Sequence, residues 1–359
     1  MIKNNKCMKF NVMIKKTRIA IVGLEFGLNL FDIEYFPGKE KADKYFELIA
    51  CCDMNRVKAD AYGLKHGLKV YYDIDTMLCD GDIEVVCLFT GPNGRASLID
   101  KVISSGRDVI TTKPFEIDPQ AAINVLKKAD DLGRLIYLNS PNPVPPLDVA
   151  QIIAWRDKYN LGRLIALRFE TWCNYRERSD GSWYDDPKKC PVAPVFRLGI
   201  YGINDVLRFT SKPVSVQAIE TQIFTGRKTS DNALLAVSFE HGEIATFFAS
   251  FCVADSRAYP DKLVLNFERG TIQKNSDLSA DILRSVNMQL VTAVDGHTLT
   301  ETVNVDRANG SGSYMWKEFY EGFKERKKPQ LPPELIPNSI RITQAMYEAS
   351  TTGKTVRLD

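Results

Sequence analysis

Between residues 18 and 138, short apolar runs alternate with stretches of helical period. "RIAIV" (18–22), "FELIACC" (46–52), "KVYY" (69–72), "EVVCLFT" (84–90), "DVITT" (108–112) and "RLIYL" (134–138) read as six strands. "VKADAYGLKHG" (57–67), a segment over 94–106 and "DPQAAINVLKKADDLG" (118–133) read as the helices between them. Strands this apolar, separated by helices, predict a parallel sheet covered on both faces. That is an α/β chain with a doubly wound, nucleotide-binding (Rossmann) N-terminal half.

After "NSPNPVPP" (139–146) the period changes. A helix (147–158) and a strand, "RLIALRFETW" (163–172), lead into a long polar loop (173–195), and another helix begins near 197. Then come period-2 runs joined by His-Gly, Arg-Gly and Asp-Gly turns: 232–251, 262–270 and 288–303. They predict a mostly antiparallel sheet open on one side. Helical stretches at 313–323 and 339–351 end the chain, separated by a Pro-rich link. The expected division is a nucleotide domain over 14–138 and a substrate and oligomerisation α/β domain over 139–359, with the C-terminal helix packing back on the first.

The 359 residues suffice for two such domains. Net charge of +2 gives no footprint for nucleic acid. No apolar run is long enough to span a membrane. The basic start, "MIKNNKCMKFNVMIKK", lacks the apolar core of a signal peptide, and Met13 is a candidate initiator that would leave a short tail before it. Eight cysteines contain no CxxC pair, so they read as reduced cytoplasmic thiols with no disulfide frame and no metal site.

Chemistry concentrates at strand ends. "AIVGLEFGLNLF" (20–31) takes a strand into Gly23-Leu24-Glu25-Phe26-Gly27 and then a helix, the context for a pyrophosphate on a helix N-terminus. Gly23 suits the tight turn and Gly27 a close backbone approach. Glu25 stands where a second phosphate-loop glycine belongs, either facing solvent or repelling phosphate. Asp53 ends the second strand, either as the carboxylate on an adenosine ribose or as a helix N-cap. As a ribose ligand it favours NAD over NADP, a preference that nearby Arg56 blurs. Lys113 ends the fifth strand, where ligands of doubly wound sheets bind; a solvated strand-end lysine is the plain alternative.

Oxidising an alcohol needs a base for the hydroxyl proton. The three histidines sit in turns or at a helix end, so histidine is an unpromising base. Tyr201 can serve if cations lower its pKa, with Lys113 and Arg197 as candidates. Arg197, Tyr201 and Asp205 fall at i,i+4 spacing on one helix face. Arg197 and Asp205 read either as substrate groups or as salt-bridge partners, and Tyr201 as either a base or a core tyrosine.

"IAIVGLEFG", "LIACCD", "TGPN" (90–93), "TTKP" (111–114), "LGIYGIND" (198–205) and "ITQAMYEASTTGKTVRL" (342–358) follow one another in the order of a known family. The chain resembles the glucose–fructose oxidoreductase / inositol dehydrogenase / MocA family. The resemblance implies an NAD(P)-dependent oxidoreductase acting on a hydroxyl of a sugar, cyclitol or sugar acid, assembled as a homodimer or homotetramer through its C-terminal sheet. It implies Lys113 and Tyr201 as catalytic residues. It also implies NAD held by Gly23, Leu24, Glu25, Phe26, Gly27, Asp53, Arg56, Thr90, Pro92, Asn93 and Lys113. The polyhydroxylated substrate falls to Arg197, Asn204, Asp205 and, from the aromatic loop, Trp183.

Departures from the family pattern are Glu25, Gly91 for threonine, Ala96 for histidine, Thr112 for the glutamate before Lys-Pro, and Arg197 for aspartate. They keep two alternatives open: a relative that hydrolyses glycosides with a retained NAD, and a catalytically idle sensing or scaffold member.

Overall fold

The computed structural model describes residues 15–39, 41–255, 257, 259–275 and 285–358. The candidate initiator Met13 and Cys7 lie outside the described residues.

The first sheet is built as the apolar runs demand. It contains β1 (Thr17–Val22), β2 (Phe46–Cys52), β3 (Lys69–Tyr71), β4 (Val85–Leu88), β5 (Asp108–Thr111) and β6 (Ile136–Leu138), all parallel, in the order β3-β2-β1-β4-β5-β6. The order reverses between β1 and β4, and a doubly wound sheet opens its ligand crevice at that point. Its helices are α1 (Phe26–Glu34), α2 (Ala42–Tyr45), α3 (Arg56–His66), α4 (Ile74–Met77), α5 (Arg95–Ser104) and α6 (Pro119–Asp131). Short α2 and α4 have no counterpart in the sequence pattern. α6 starts where the pattern predicts, with Asp118 accepting from Gln120 and Ala121 N–H at 2.8 and 3.1 Å and Pro119 in the first turn.

Among the described residues the second sheet has nine strands. They are β7 (Leu164–Trp172), β8 (Pro213–Thr221), β9 (Asn232–Phe239), β10 (Ile244–Ser250), β11 (Asp261–Phe267), β12 (Gly270–Lys274), β13 (Ser285–Val294), β14 (His297–Asp306) and β15 (Val356–Arg357). The order is β14-β13-β12-β11-β7-β10-β9-β8-β15, antiparallel throughout except for the β7–β10 pair. β8, β15 and nearly all of β12 go beyond the strands that the period-2 pattern predicts. α7 (Leu147–Lys158), α8 (Ile200–Val206) and α10 (Leu335–Thr352) accompany this sheet. The helix expected near 197 opens as a π-turn, Val195–Gly199, before continuing as α8.

α9 (Trp316–Glu325) does not stay with the second sheet. Trp316 packs edge-on against Phe31 and Phe46 with centroids 6.1 and 5.8 Å apart, and Phe323 lies 4.7 Å from Tyr137. The chain's late segment therefore caps one face of the first sheet. The terminal helices run Trp316–Glu325 and Leu335–Thr352, a few residues later and earlier than the 313–323 and 339–351 read from the pattern.

α8 lies close against β7. A Cβ added to Gly202 would stand 2.3 Å from the Phe169 ring. Gly202→Ala therefore forces α8 and the neighbouring Tyr201 away from the sheet. The expected outcome is a loss of about 1–3 kcal/mol, read as a lowered thermal midpoint, with weaker activity in the folded fraction.

Candidate active site

The carboxyl ends of β1, β4 and β5 open into a cavity of ≈ 1060 Å³ that continues across the inner face of the second sheet. At its nucleotide end, β1 runs into Gly23 at φ +89°, where a Cβ would stand 2.8 Å from the Phe89 carbonyl oxygen. Only glycine fits that turn without strain. Gly23 N–H donates to Cys52 O at 3.0 Å. Leu24 N–H donates to Asp53 Oδ2 at 2.8 Å, so the carboxylate following β2 fastens the loop leaving β1. Its other oxygen accepts from Asn55 N–H at 2.9 Å. Asn55, not Asp53, is the N-cap of α3. Among the described residues, α1 begins with no side-chain cap and no acid in its first turn. Its first N–H groups thus have no carboxylate competing with an anion. Thr90 Oγ1 is buried with no partner among the described residues. Together with the left-handed Gly23, these features fit a dinucleotide.

Three of the cofactor residues expected from the sequence stand off the cavity, and a fourth lines only its mouth. Gly27 does not approach the cavity: it is buried in α1, where a Cβ would meet Ile21 Cδ1 at 2.7 Å and Phe89 Cδ2 at 2.9 Å. Its smallness serves helix-to-strand packing. Arg56 lies off the cavity lining, over the Tyr72 ring at 4.4 Å. Asn93 is exposed and also off the lining. Glu25 is at the mouth with its side chain 86% exposed and ion-paired to Lys58. Leu24, Phe26, Asp53, Thr90 and Pro92 do line the space, joined by Asn29, which the sequence did not mark. Gly91 sits under Trp183, where a Cβ would stand 3.2 Å from the indole. Trp183 thus covers the loop after β4 from the second half of the chain.

Lys113 stands where the two halves of the cavity meet. Its Nζ donates to the Arg197 carbonyl and lies 4.4 Å from the centre of the Tyr201 ring. Burial, then the charges of Arg197 and Arg95, lower its pKa to about 7. Tyr201 goes the other way. Burial pushes its hydroxyl up to about 12, so the lowered phenol expected from the sequence is not found. The lysine ammonium faces the ring rather than the oxygen, which leaves the phenolate without a stabilising ion pair. Asn139 Nδ2 lies 3.5 Å from the hydroxyl and donates to Gly312 O at 3.0 Å.

Arg197, Tyr201 and Asp205 all line the cavity, as their spacing predicts. Arg197, however, is not free. It forms a two-pronged pair with Glu177 at 2.7 and 2.8 Å, and its guanidinium lies 4.1 Å from the Tyr184 ring centre and 4.8 Å from that of Phe251. Burial opposes the charge on Glu177, yet Arg197 and Arg227 hold its carboxyl below the usual range. Neither Glu177 nor Arg227 stands out in the sequence; their link to Arg197 is tertiary. Asn204, expected at the substrate, is instead buried off this cavity, with Nδ2 donating to Ser140 Oγ at 3.0 Å. Asp205 is 5% exposed, and burial, then the neighbouring Asp148, raise its pKa to about 7. At the far end Lys274 bridges Asp148 and Asp261 at 2.6 and 2.8 Å, and Arg307 pairs with Asp261 at 2.8 Å.

Residues 17–140 match the oxidoreductase family with an NAD-binding Rossmann fold, and residues 149–273 match the GFO/IDH/MocA C-terminal domain. The chain belongs to the GFO/IDH/MocA oxidoreductase family, and its N-terminal domain is that family's NAD-binding fold. It is 27% identical over 207 residues to an uncharacterized oxidoreductase of Schizosaccharomyces pombe, covering 56% of this chain and 54% of that one. The chain thus spans about half the length of the first curated relatives it matches. Among solved structures, an NAD-binding oxidoreductase of Klebsiella pneumoniae superposes with TM-score 0.72 at 16% identity, over 96% of this chain and 99% of that one. Levoglucosan dehydrogenase in complex with NADH gives 0.73 at 14%, over 96% and 100%. Among the described residues, no helix is long and apolar enough to cross a membrane.

Because Glu25 points to solvent and pairs with Lys58, removing it does little. Glu25→Gly is expected to change the NADH dissociation constant by less than about threefold, as suits an exposed ion pair; a fluorescence titration reads it.

Proposed function

We propose that the protein is an NAD-dependent dehydrogenase that moves a hydride between the nicotinamide and a hydroxyl-bearing carbon of a sugar-like polyol. One observation carries this reading: Lys113, with its pKa brought down to about 7, stands between the nucleotide loops and the polar cavity of the second sheet. The levoglucosan dehydrogenase structures, solved in complex with NADH and with NADH and L-sorbose, support the substrate class.

The Gly23–Phe26 turn and the open N-terminus of α1 would hold the dinucleotide, with Asp53 as the residue that would accept from the adenosine ribose and Thr90 and Pro92 as further contacts. When bound it supplies the hydride acceptor. A carboxylate at Asp53 repels a 2′-phosphate, which favours NAD over NADP. Arg56, drawn to Tyr72, does not offset it. In oxidation, Lys113 in its free-amine form takes the proton from the substrate hydroxyl as hydride leaves the same carbon. In reduction, its ammonium returns that proton. Tyr201 stays a neutral phenol and positions the substrate oxygen by hydrogen bonding. Glu25 in solvent and Thr112, whose hydroxyl lies 3.2 Å from Asn139 Oδ1, leave Lys113 undisturbed, which favours this reading over an idle member.

The outward face of the second sheet supports self-association. Ile219, Leu234 and Phe248 lie side by side there, with Ile219 67% and Leu234 39% exposed. We place a homodimer contact on that face.

Lys113→Ala is expected to lower kcat by about 10²–10⁴-fold while NADH binding stays within about threefold. Retained turnover removes lysine from the mechanism. The pH profile follows from the sign of the shift. Oxidation needs the amine without its proton, so kcat/KM for oxidation rises with pH through a midpoint near 7. Reduction needs the ammonium and falls through the same range. Lys113→Arg keeps its charge throughout, so it is expected to abolish the oxidation limb.

A further inference from the structure

The charges lining the cavity restrict which polyol it accepts. Among the described residues, five cationic side chains line it: Arg95, Lys113, Arg197, Lys274 and Arg307. Four are already engaged. Arg95 gives donors from both terminal nitrogens to main-chain carbonyls, including Thr112 O at 2.6 Å, and it is almost wholly enclosed. Arg197 is clamped by Glu177, Lys274 lies between Asp148 and Asp261, and Arg307 is on Asp261. The fifth, Lys113, is bonded to a carbonyl and is the proposed proton acceptor.

The carboxylates are not balanced in the same way. Asp205 lines the space one helical turn beyond Tyr201; among the described residues it has no direct ion pair, while the more distant Lys274 charge and the Ser311 hydroxyl favour its ionised form. Around the shared wall, Asp148, Glu177, Asp205 and Asp261 meet three paired cations. An incoming carboxylate or phosphate therefore finds no free cation among the described residues, and above pH 7, where Asp205 is ionised, it must share a low-dielectric space with that carboxylate. A neutral hydroxyl meets the opposite situation, because a buried carboxylate oxygen with no direct ion pair is a strong acceptor for an O–H donor.

We infer that the pocket selects for polyols carrying no anionic group, with Asp205 accepting a substrate hydroxyl and repelling acids. Aldonic and uronic acids and sugar phosphates are thereby excluded, and Glu177 contributes by keeping Arg197 from serving them. Discrimination rests on a repulsive element as well as an attractive one. This inference rests on the dehydrogenase reading above and narrows its substrate class.

The test uses NAD-saturated full-length protein at pH 8.5, where Asp205 is ionised, and matched pairs: D-glucose with D-glucuronate, and D-galactose with D-galacturonate. Ligand-observed NMR reads binding, and NADH formation reads turnover. The expected result is a neutral sugar bound at least tenfold more tightly than its acid. Asp205→Asn removes the repulsion, and Glu177→Gln releases Arg197 toward the cavity. Each is expected to narrow the gap to about threefold or less. Glu177→Gln acts by gaining affinity for acids, so it remains informative if Asp205→Asn folds poorly. Acids bound as well as neutral sugars overturn the inference. So does a gap that neither variant moves, or a protein that binds NADH but no neutral sugar. Failure to bind NADH is a separate result: it strikes the dehydrogenase reading itself, and the inference falls with it.

Discussion

Arg95 opens α5 with its side chain almost wholly enclosed, and its guanidinium bonds to carbonyl oxygens instead of a carboxylate. It reaches Thr112 O at 2.6 Å, Phe115 O at 3.3 Å, and the carbonyls of Pro114 and Thr90. These carbonyls belong to the loops leaving β4 and β5, the two that border the junction of the cavity. The tie is reciprocal. Glu116, from the same loop, accepts from Gly94 and Ala96 N–H at 3.2 and 2.8 Å and so caps α5. The helix holds the loop and the loop caps the helix. Without Arg95, several buried carbonyls lose a strong donor at once, each a costly loss. Lys113 sits inside this lock, so its position is inherited from backbone that cannot swing. Burial brings Arg95 itself down to about 10. Its charge joins that of Arg197 in disfavouring a proton on Lys113.

Much of this is legible in the chain because period and punctuation carry it. Fully apolar strands between helices can only be buried on both faces, and all six join one parallel sheet. Strand-end residues such as Gly23, Asp53 and Lys113 reach the cavity because a parallel sheet sends all its carboxyl ends to one side. Tertiary pairings leave no such trace. Arg95 looks like an ordinary surface arginine at a helix start. Lys274 and Asp148 belong to distant segments of the chain, yet bond at 2.6 Å. Gly27 shows the limit of a motif: a glycine in the right loop has a packing role because α1 crosses Ile21 there. The Tyr201 pKa departs from expectation for a related reason. Nearness of a cation does not lower a phenol when the cation faces the ring and burial acts on the oxygen.

The two halves are joined by more than one connection. Asn139 and Asn142, just past β6, bond to Gly312 O and Ser313 O at 3.0 and 2.8 Å, while Ser311 N–H donates to Asp148 Oδ1 at 3.1 Å. The 311–313 segment is therefore strapped across the seam, directly before α9 covers the first sheet. Gly312 lies against the Tyr201 ring, where a Cβ would stand 2.8 Å from it. Cavity shape thus depends on contacts from the start, middle and end of the chain.

The departures from the family pattern take on a different meaning once their partners are known. Gly91 is small where Trp183 needs room, with 3.2 Å between the indole and the place a Cβ would occupy. Arg197 brings a charge into the wall and Glu177 removes its consequence. Glu25 enters the phosphate loop, turns outward and meets Lys58. In each case the partner lies in another segment, so either residue read alone suggests damage. A partner of opposite charge or complementary size offsets what each departure adds on its own, so the wall gains neither a free charge from Arg197 or Glu25 nor an unfilled gap at Gly91.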